Sequence, residues 1–431
     1  MSVDLDERER RLASGADGEG AALAMRLVLL AAELLGARRL IPITRAHVDS
    51  CLYHGEATID FAQRLIDGGA RVTIPTTLNV GAVDLLHPDL WQGSAHAAAR
   101  GRRLMEAYRS LGCRPTFTCA PYQLADARPS FGEQVAWAES NAIVFCNSVI
   151  GARTERYGDF TDIACAIVGR VPDAGLHRAD ARRAVVVLRP AADVPSALLE
   201  ADELYPVLGI VLGRRAGSRV AALDGLPRRL DESRLKAVGA AAASSGSVAM
   251  FHVVGSTPEA DTLEDALQDG VPDESAEIGL AELRAARDEL LSASGANVGD
   301  PIAAVSLGTP HASLAELRRI ADLFGDRHVA SGVECIVSTA RDTLADAGGE
   351  GVDAALRRAG VTLLVDTCSY LAPILRSVGK PVMTDSAKWA YYAPGNIGAQ
   401  AVLASTRDCV ASVLAGRMQR DDSLWEPLSV N

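Results

Sequence analysis

The chain has 431 residues, a formal net charge of -12, 48% hydrophobic and 23% charged residues. This composition excludes a largely disordered chain. The acidic balance excludes a general nucleic-acid backbone binder, and aromatic residues at only 4% leave little for base-stacking platforms. At roughly 150 residues per domain, two or three domains are expected. The most apolar stretch, residues 27–35, is interrupted by Glu33 and falls short of the ~20 residues a membrane span needs. The acidic start, MSVDLDERERRL, lacks the basic-then-apolar order of a signal peptide, so a cytoplasmic location is expected. The eight cysteines then read as reduced thiols or metal ligands. No two form a C-x-x-C pair, so any metal site draws on distant parts of the chain.

In chain order, residues 5–36 read as one helix rich in Ala, Leu, Arg and Glu and stopped by Gly36. Short strands follow at 39–43, 71–74, 115–119 and 142–145, with helices at 56–67 and 94–111 between them. The second half repeats this grammar, with strands at 248–254, 302–307, 332–337, 361–365 and 381–383. Helices are expected to open at Gly255-Ser256-Thr257-Pro258 and at Gly308-Thr309-Pro310. The stretches 213–246 and 269–300 read as connections. Alternating strands and helices predict an α/β fold with mostly parallel sheets in several α/β/α layers. Residues 1–185 are expected to form one domain and residues 186–431 the rest.

Strand–polar loop–helix units place ligands at the carboxyl ends of parallel strands, where helix N-termini favour anions. The loops here are rich in Ser, Thr, Asn and Gly, which points to a small polar or anionic ligand. Cys51, Cys119 and Cys368 stand at such loops, where three thiolates suit iron and leave one coordination position open. The alternative is that each is a small core hydrophobe, as Cys113, Cys165, Cys335 and Cys409 read. In the run NSVIGART, Arg153 reads either as a carboxylate clamp or as the ion-pair partner of Glu155 or Asp159. Lys388 reads as a carboxylate binder, a proton carrier or a solvated lysine, and His47, His252 and His311 as bases, ligands or structural histidines. G-x-G-x-x-G, P-loop, G-x-S-x-G and H-E-x-x-H motifs are absent from the sequence.

Seven separated segments, in order, carry a resemblance. They are HVDSCLYHGEATIDFAQRLIDGGARVTIPTTLN (47–79), FTCAPY (117–122), AESNAIVFCNSVIGARTERYGDF (138–160), FHVVGSTPEADTLEDAL (251–267), VSLGTPHASLAEL (305–317), DTC (366–368) and MTDSAKWAYYAPG (383–395). Together they resemble the aconitase X family, in its large, catalytic portion, from about residue 20 onward. The resemblance implies an aconitase-like fold and a hydro-lyase that dehydrates a small hydroxy acid. In bacteria the family's substrate is cis-3-hydroxy-L-proline, to which the C-L-Y-H-G context is closer; in archaea it is mevalonate 5-phosphate. It implies metal binding by Cys119 and Cys368, with Cys51 as the extra bacterial cysteine, holding an iron–sulfur cluster (2Fe-2S or larger) or a mononuclear iron. On this basis Ser148, Lys388 and His47 are the candidate catalytic residues. Thr76, Thr77, Asn79, Asn147, Ser148, Arg153, Thr154, Ser386 and Lys388 are the candidate substrate contacts.

Three departures stand out. No stretch matches the family's small swivelling domain, so a separate small-subunit partner is expected. Where the family commonly reads T-N-S-G-K-Y, this chain has Thr384-Asp385-Ser386-Ala387-Lys388-Trp389. Cys146 replaces a small residue and is either a further ligand or a packed thiol. A non-catalytic subunit that binds small carboxylates is the competing expectation.

Overall fold

The computed structural model describes residues 3–292 and 296–427. The chain divides into two units, Met1–Leu85 with Ser94–Arg183, and Leu86–Gly93 with Ala184–Asn431. Across both, strands alternate with helices and nearly every sheet is parallel, an α/β fold as the alternation implies.

The first unit opens with two helices instead of one, Glu7–Ser14 and Glu19–Leu34. Gly15, at φ 83, returns its N–H to the Arg11 and Leu12 carbonyls and ends the first. Composition alone hides such a break, because both pieces are rich in good helix formers. The central sheet has three parallel strands, with Ala46–Val48 between Thr76–Leu78 and Ala136–Trp137. The strand expected at 71–74 therefore begins after Pro75, and 115–119 is irregular, turning at Phe117 with φ 42. The expected strand 142–145 is helical: Ser140–Phe145 is capped by the Glu139 carboxylate on the Ala142 N–H (2.8 Å) and runs on as a π-helix, Cys146–Ile150. Its residues are buried on all sides, so no apolar period marks it as a helix.

The second unit holds two parallel sheets. In the first, Phe251–Val253, Ala221–Leu223, Val186–Pro190 and Glu274–Ile278 lie side by side in that order. Helices Leu204–Ala216 and Glu232–Gly246 pack closely here, and a Cβ on Gly209 would sit 2.4 Å from the Val238 carbonyl oxygen. These elements lie largely in the stretch 213–246 expected to be connection; Ala-rich helices with little amphipathic contrast give no clear stripe. The stretch 269–300 likewise holds the strand Glu274–Ile278 and the helix Leu280–Ser292, while residues 293–295 lie outside the described residues.

The second sheet has the order Thr362–Leu364, Glu334–Thr339, Ala304–Ala312, Pro381–Thr384, Gln400–Leu403. From Ala304–Ala312 the chain builds outward in one direction and then returns to build in the other, so the strand order reverses between Ala304–Ala312 and Pro381–Thr384. Open parallel sheets bind ligands outside the carboxyl ends of the strands at such a reversal. The helix expected at Gly308 starts later: the strand runs on to Ala312, and Ser313 and Glu316 form a capping box for Leu314–Phe324. Ile302, Val305, Leu307, Leu317, Phe324, Val337, Leu363 and Val402 fill the core beside this sheet.

Candidate functional site

In the first unit, the three parallel strands deliver Asp49, Cys51, Asn79 and Glu139 to their carboxyl ends. Cys51 is fully buried, and its thiol donates to the Asn79 carbonyl (3.2 Å). Burial, reinforced by Asp49 and Asp162, pushes its pKa well above that of an ordinary thiol. Asn79 donates from its amide nitrogen to Asp49 and has a buried oxygen without a partner. Asp49 was not singled out by sequence reasoning. Burial, then the charges of Glu139 and Asp159, push its carboxyl up to about 7. The signal available was a lone carboxylate immediately after the short strand Ala46–Val48.

Cys119 is buried beyond Thr118, whose N–H donates to the Leu78 carbonyl (3.1 Å), and its own carbonyl accepts from Asn141 (3.2 Å). His47 sits mid-strand, paired in register with Thr77, with Nδ1 2.9 Å from the threonine hydroxyl. Burial holds its pKa down to about 3, so the ring is neutral and a weak base. Thr76 and Thr77 line a cavity of about 300 Å³ with Arg45 and Arg114 at the amino ends of the same strands, the opposite end from Cys51.

The NSVIGART segment is a hydrogen-bonded clasp. Asn147 donates to the Thr154 carbonyl and accepts from the Thr154 N–H, both at 3.0 Å. The fully buried Arg182 donates to the Asn147 side-chain oxygen (3.1 Å) and main-chain carbonyl (2.9 Å). The Thr154 hydroxyl accepts from the Trp137 N–H (3.0 Å). Ser148 is buried in the π-helix, a distortion that recurs at functional sites. Arg153 donates to the His177 carbonyl (3.2 Å), and its Nε is buried without a partner. It pairs with neither Glu155 nor Asp159, so the fork retains unused donors. Cys146 is a packed thiol in the cluster of Tyr122, Trp137 and Phe145.

In the second unit, His311 lies near the carboxyl end of Ala304–Ala312 and Cys368 in the loop after Thr362–Leu364, with Glu334–Thr339 between the two strands, and their ligand atoms lie within 4.8 Å of one another. Both are buried, and His311 Nε2 is 3.2 Å from the Thr367 carbonyl. The turn carrying Cys368 is fixed by Arg341, which donates twice to the buried Asp366 at 2.5 Å each. It is fixed again by Ser369, 2.6 Å from Ser306 and accepting from the Trp389 indole at 3.0 Å. A soft thiolate beside an imidazole, in a buried setting, is a donor pair that fits iron.

Across the strand-order reversal, a cavity of about 480 Å³ is lined by Thr309 and Pro310 on one side and by Asp385, Ser386 and Lys388 on the other. Ser386 caps the helix Ala387–Ile397, its hydroxyl accepting from the Trp389 N–H (3.1 Å). Lys388 is buried in the first turn. Burial pushes the Asp385 carboxyl up to about 6 against the pull of the Thr406 hydroxyl.

Parallel α/β sheets with thiol and imidazole donors and cation-bearing loops at strand carboxyl ends suit a site for a small anionic ligand beside a metal. Residues 2–180, 185–288 and 302–415 match the aconitase X first, second and third domains. A cis-3-hydroxy-L-proline dehydratase from Pseudomonas aeruginosa is 42% identical, with 98% of this chain and 72% of that protein covered. One from Hypocrea jecorina is 41% identical, with 96% of this chain and 69% of that protein covered. The phosphomevalonate dehydratase large subunit of Methanothermobacter thermautotrophicus is 35% identical, with 93% and 96% covered. A holo-form crystal structure of Thermococcus kodakaraensis aconitase X superposes with a TM-score of 0.84 at 30% identity, over 95% of this chain and 100% of that one. The chain belongs to the aconitase X family.

Proposed function

We propose that the chain is the large subunit of a dehydratase that removes water from cis-3-hydroxy-L-proline or a close relative. The observation that carries this reading is the buried His311–Cys368 pair, in the same sheet whose strand-order reversal opens a cavity with Lys388 on its wall. The 42% identity to a dehydratase of that name supports the substrate. Cys51, Cys119 and Cys368 are the proposed thiol ligands of an iron centre or iron–sulfur cluster, with His311 as a neighbouring donor. Bound there, the group supplies Lewis acidity toward the leaving hydroxyl.

The chain's own residues do the rest. Lys388 and Arg153 neutralise the substrate carboxylate, which acidifies the adjacent C–H. Ser148 donates a hydrogen bond to the charge that develops on the carboxylate as that proton leaves. Asn147 and Thr154 hold Ser148 and Arg153 in place, and Ser386 fixes the helix N-terminus that carries Lys388. The C2 proton passes to a base, its electron pair forms the C2=C3 double bond, and the C3–O bond breaks; the released hydroxide takes up one proton and leaves as water, and the base gives up the proton it took, so that the net loss is one water. The neutral, weakly basic His47 is given a positioning part through Thr77. The base belongs to a small-subunit partner, whose closure over the site also excludes water. The match to a protein named a large subunit, with 96% of it covered, supports that partner. Among the described residues no helix is long and apolar enough to cross a membrane. Buried free thiols fit a reducing cytoplasm.

The test is anaerobic loading with iron in the presence of the small subunit, followed by assay of cis-3-hydroxy-L-proline dehydration. Turnover that depends on iron and is lost in Cys368→Ser is expected. Turnover without iron, or none with any 3-hydroxyproline, overturns the reading.

A further inference from the structure

We propose that Asp385 sets the substrate class of the cavity at the strand-order reversal, receiving the ammonium of a zwitterionic imino or amino acid whose carboxylate lies toward Lys388. This inference rests on the function proposed above and adds to it which group selects for a nitrogen-bearing substrate.

The cavity, at about 480 Å³, is in the size range of small-ligand sites. Asp385 and Lys388 leave the same connection three residues apart, and both line it. One short segment therefore supplies both signs of charge. Three cations on the cavity wall have acidic partners. Lys236 lies 2.5 Å from Glu316, Arg234 lies 2.8 Å from Asp202, and Arg319 also meets Asp202. Asp385 differs from them. It accepts from a neutral hydroxyl, Thr406 at 2.8 Å, and among the described residues it forms no ion pair.

Asp385 is partly buried and feels the Lys236 charge only at longer range, without a direct ion pair; such a carboxylate is costly, and the cost is relieved when a cation reaches it. Burial raises its pKa to about 6, the response of an undercompensated anion, and still leaves it charged at neutral pH. A phosphorylated or simple hydroxy acid brings only negative charge and leaves Asp385 unmatched. An imino acid brings a carboxylate for the lysine and an ammonium for the aspartate.

Direct binding to the full chain tests this with two unreactive probes, L-proline and tetrahydrofuran-2-carboxylate, its oxygen-ring counterpart without the ammonium. In the wild type, L-proline binds at least about tenfold more tightly, the worth of one charge-assisted contact. In Asp385→Asn that preference disappears, while tetrahydrofuran-2-carboxylate binds as before. Equal weakening of both probes in Asp385→Asn shows a structural role and overturns the inference. So does a wild type without preference for L-proline. Dehydration of cis-3-hydroxy-L-proline by the iron-loaded complex is read separately. Turnover alongside a preference that Asp385→Asn leaves intact overturns this inference and leaves the proposed function standing; no turnover with the preference present and Asp385-dependent does the reverse.

Discussion

His177 shows how a buried side chain makes stability depend on pH. Its Nδ1 is 2.6 Å from the Gln134 side-chain oxygen and its Nε2 2.7 Å from the Tyr157 hydroxyl. Those partners satisfy the neutral ring, and burial, helped by Arg182, holds its pKa down to about 3. The unfolded chain takes up that proton near pH 6.5 and the folded chain does not. This group's contribution is therefore full above pH 6.5 and falls as the pH drops toward 3, by about 1.4 kcal/mol per unit. Between pH 8 and pH 5 the wild type should lose about 2 kcal/mol relative to His177→Gln in urea unfolding. A pH-independent difference between the two proteins would show that the folded ring takes up its proton as readily as the unfolded one. Nothing in the sequence marks this histidine, because its neighbours Gln134 and Tyr157 are 43 and 20 residues away. Arg341 is hidden for the same reason. Its paired bonds to Asp366 brace the turn before Cys368. Arg341→Lys keeps the charge but loses the fork, and iron affinity measured by chelator competition should drop about 10- to 100-fold.

Among the elements, the strand Ala304–Ala312 carries the most consequence for the site. Its register slips between Leu307 and Ala312, and Gly308 occupies the slip at φ 77. A Cβ there would lie 2.1 Å from the Ser338 carbonyl oxygen. Gly308→Ala should cost about 1–3 kcal/mol in thermal or urea unfolding and reduce iron retention, because His311 lies three residues on. Unchanged stability would mean that the neighbouring strand yields freely. The strand itself was legible in the sequence as an apolar run, and Gly308-Thr309-Pro310 was legible as punctuation. The continuation through Ala312 was not, because the residues that extend the strand past a glycine and a proline are paired only through a distant strand. Ser140–Phe145 failed in the other direction. Val and Ile suggest a strand, but a side-chain cap and complete burial decide for a helix. The loops that bear Cys51, Cys368 and Lys388 were visible from sequence because each follows a strand with an abrupt change to polar residues. His311 was flagged only as one histidine of three, since its closeness to Cys368 depends on how three strands are ordered in a sheet.

For the whole molecule, the proposed division of labour makes a simple prediction. The isolated, iron-loaded chain should bind L-proline but dehydrate cis-3-hydroxy-L-proline at least about 100-fold more slowly than the complex with its small subunit, since the base and the closing wall are supplied in trans. Comparable rates in single-turnover assays would return the base to this chain. The family was readable across nearly the full length because seven separated segments, spanning loops and the helices beside them, carry the resemblance in order. The buried arginine at position 182 adds a constraint of another kind. By gripping both the backbone and the side chain of Asn147, it turns the segment from Asn147 to Thr154 into a fixed template instead of an adjustable one. A template of that sort has no give with which to greet a different molecule. A change of substrate preference would then fall to side chains elsewhere, Asp385 among them as proposed above.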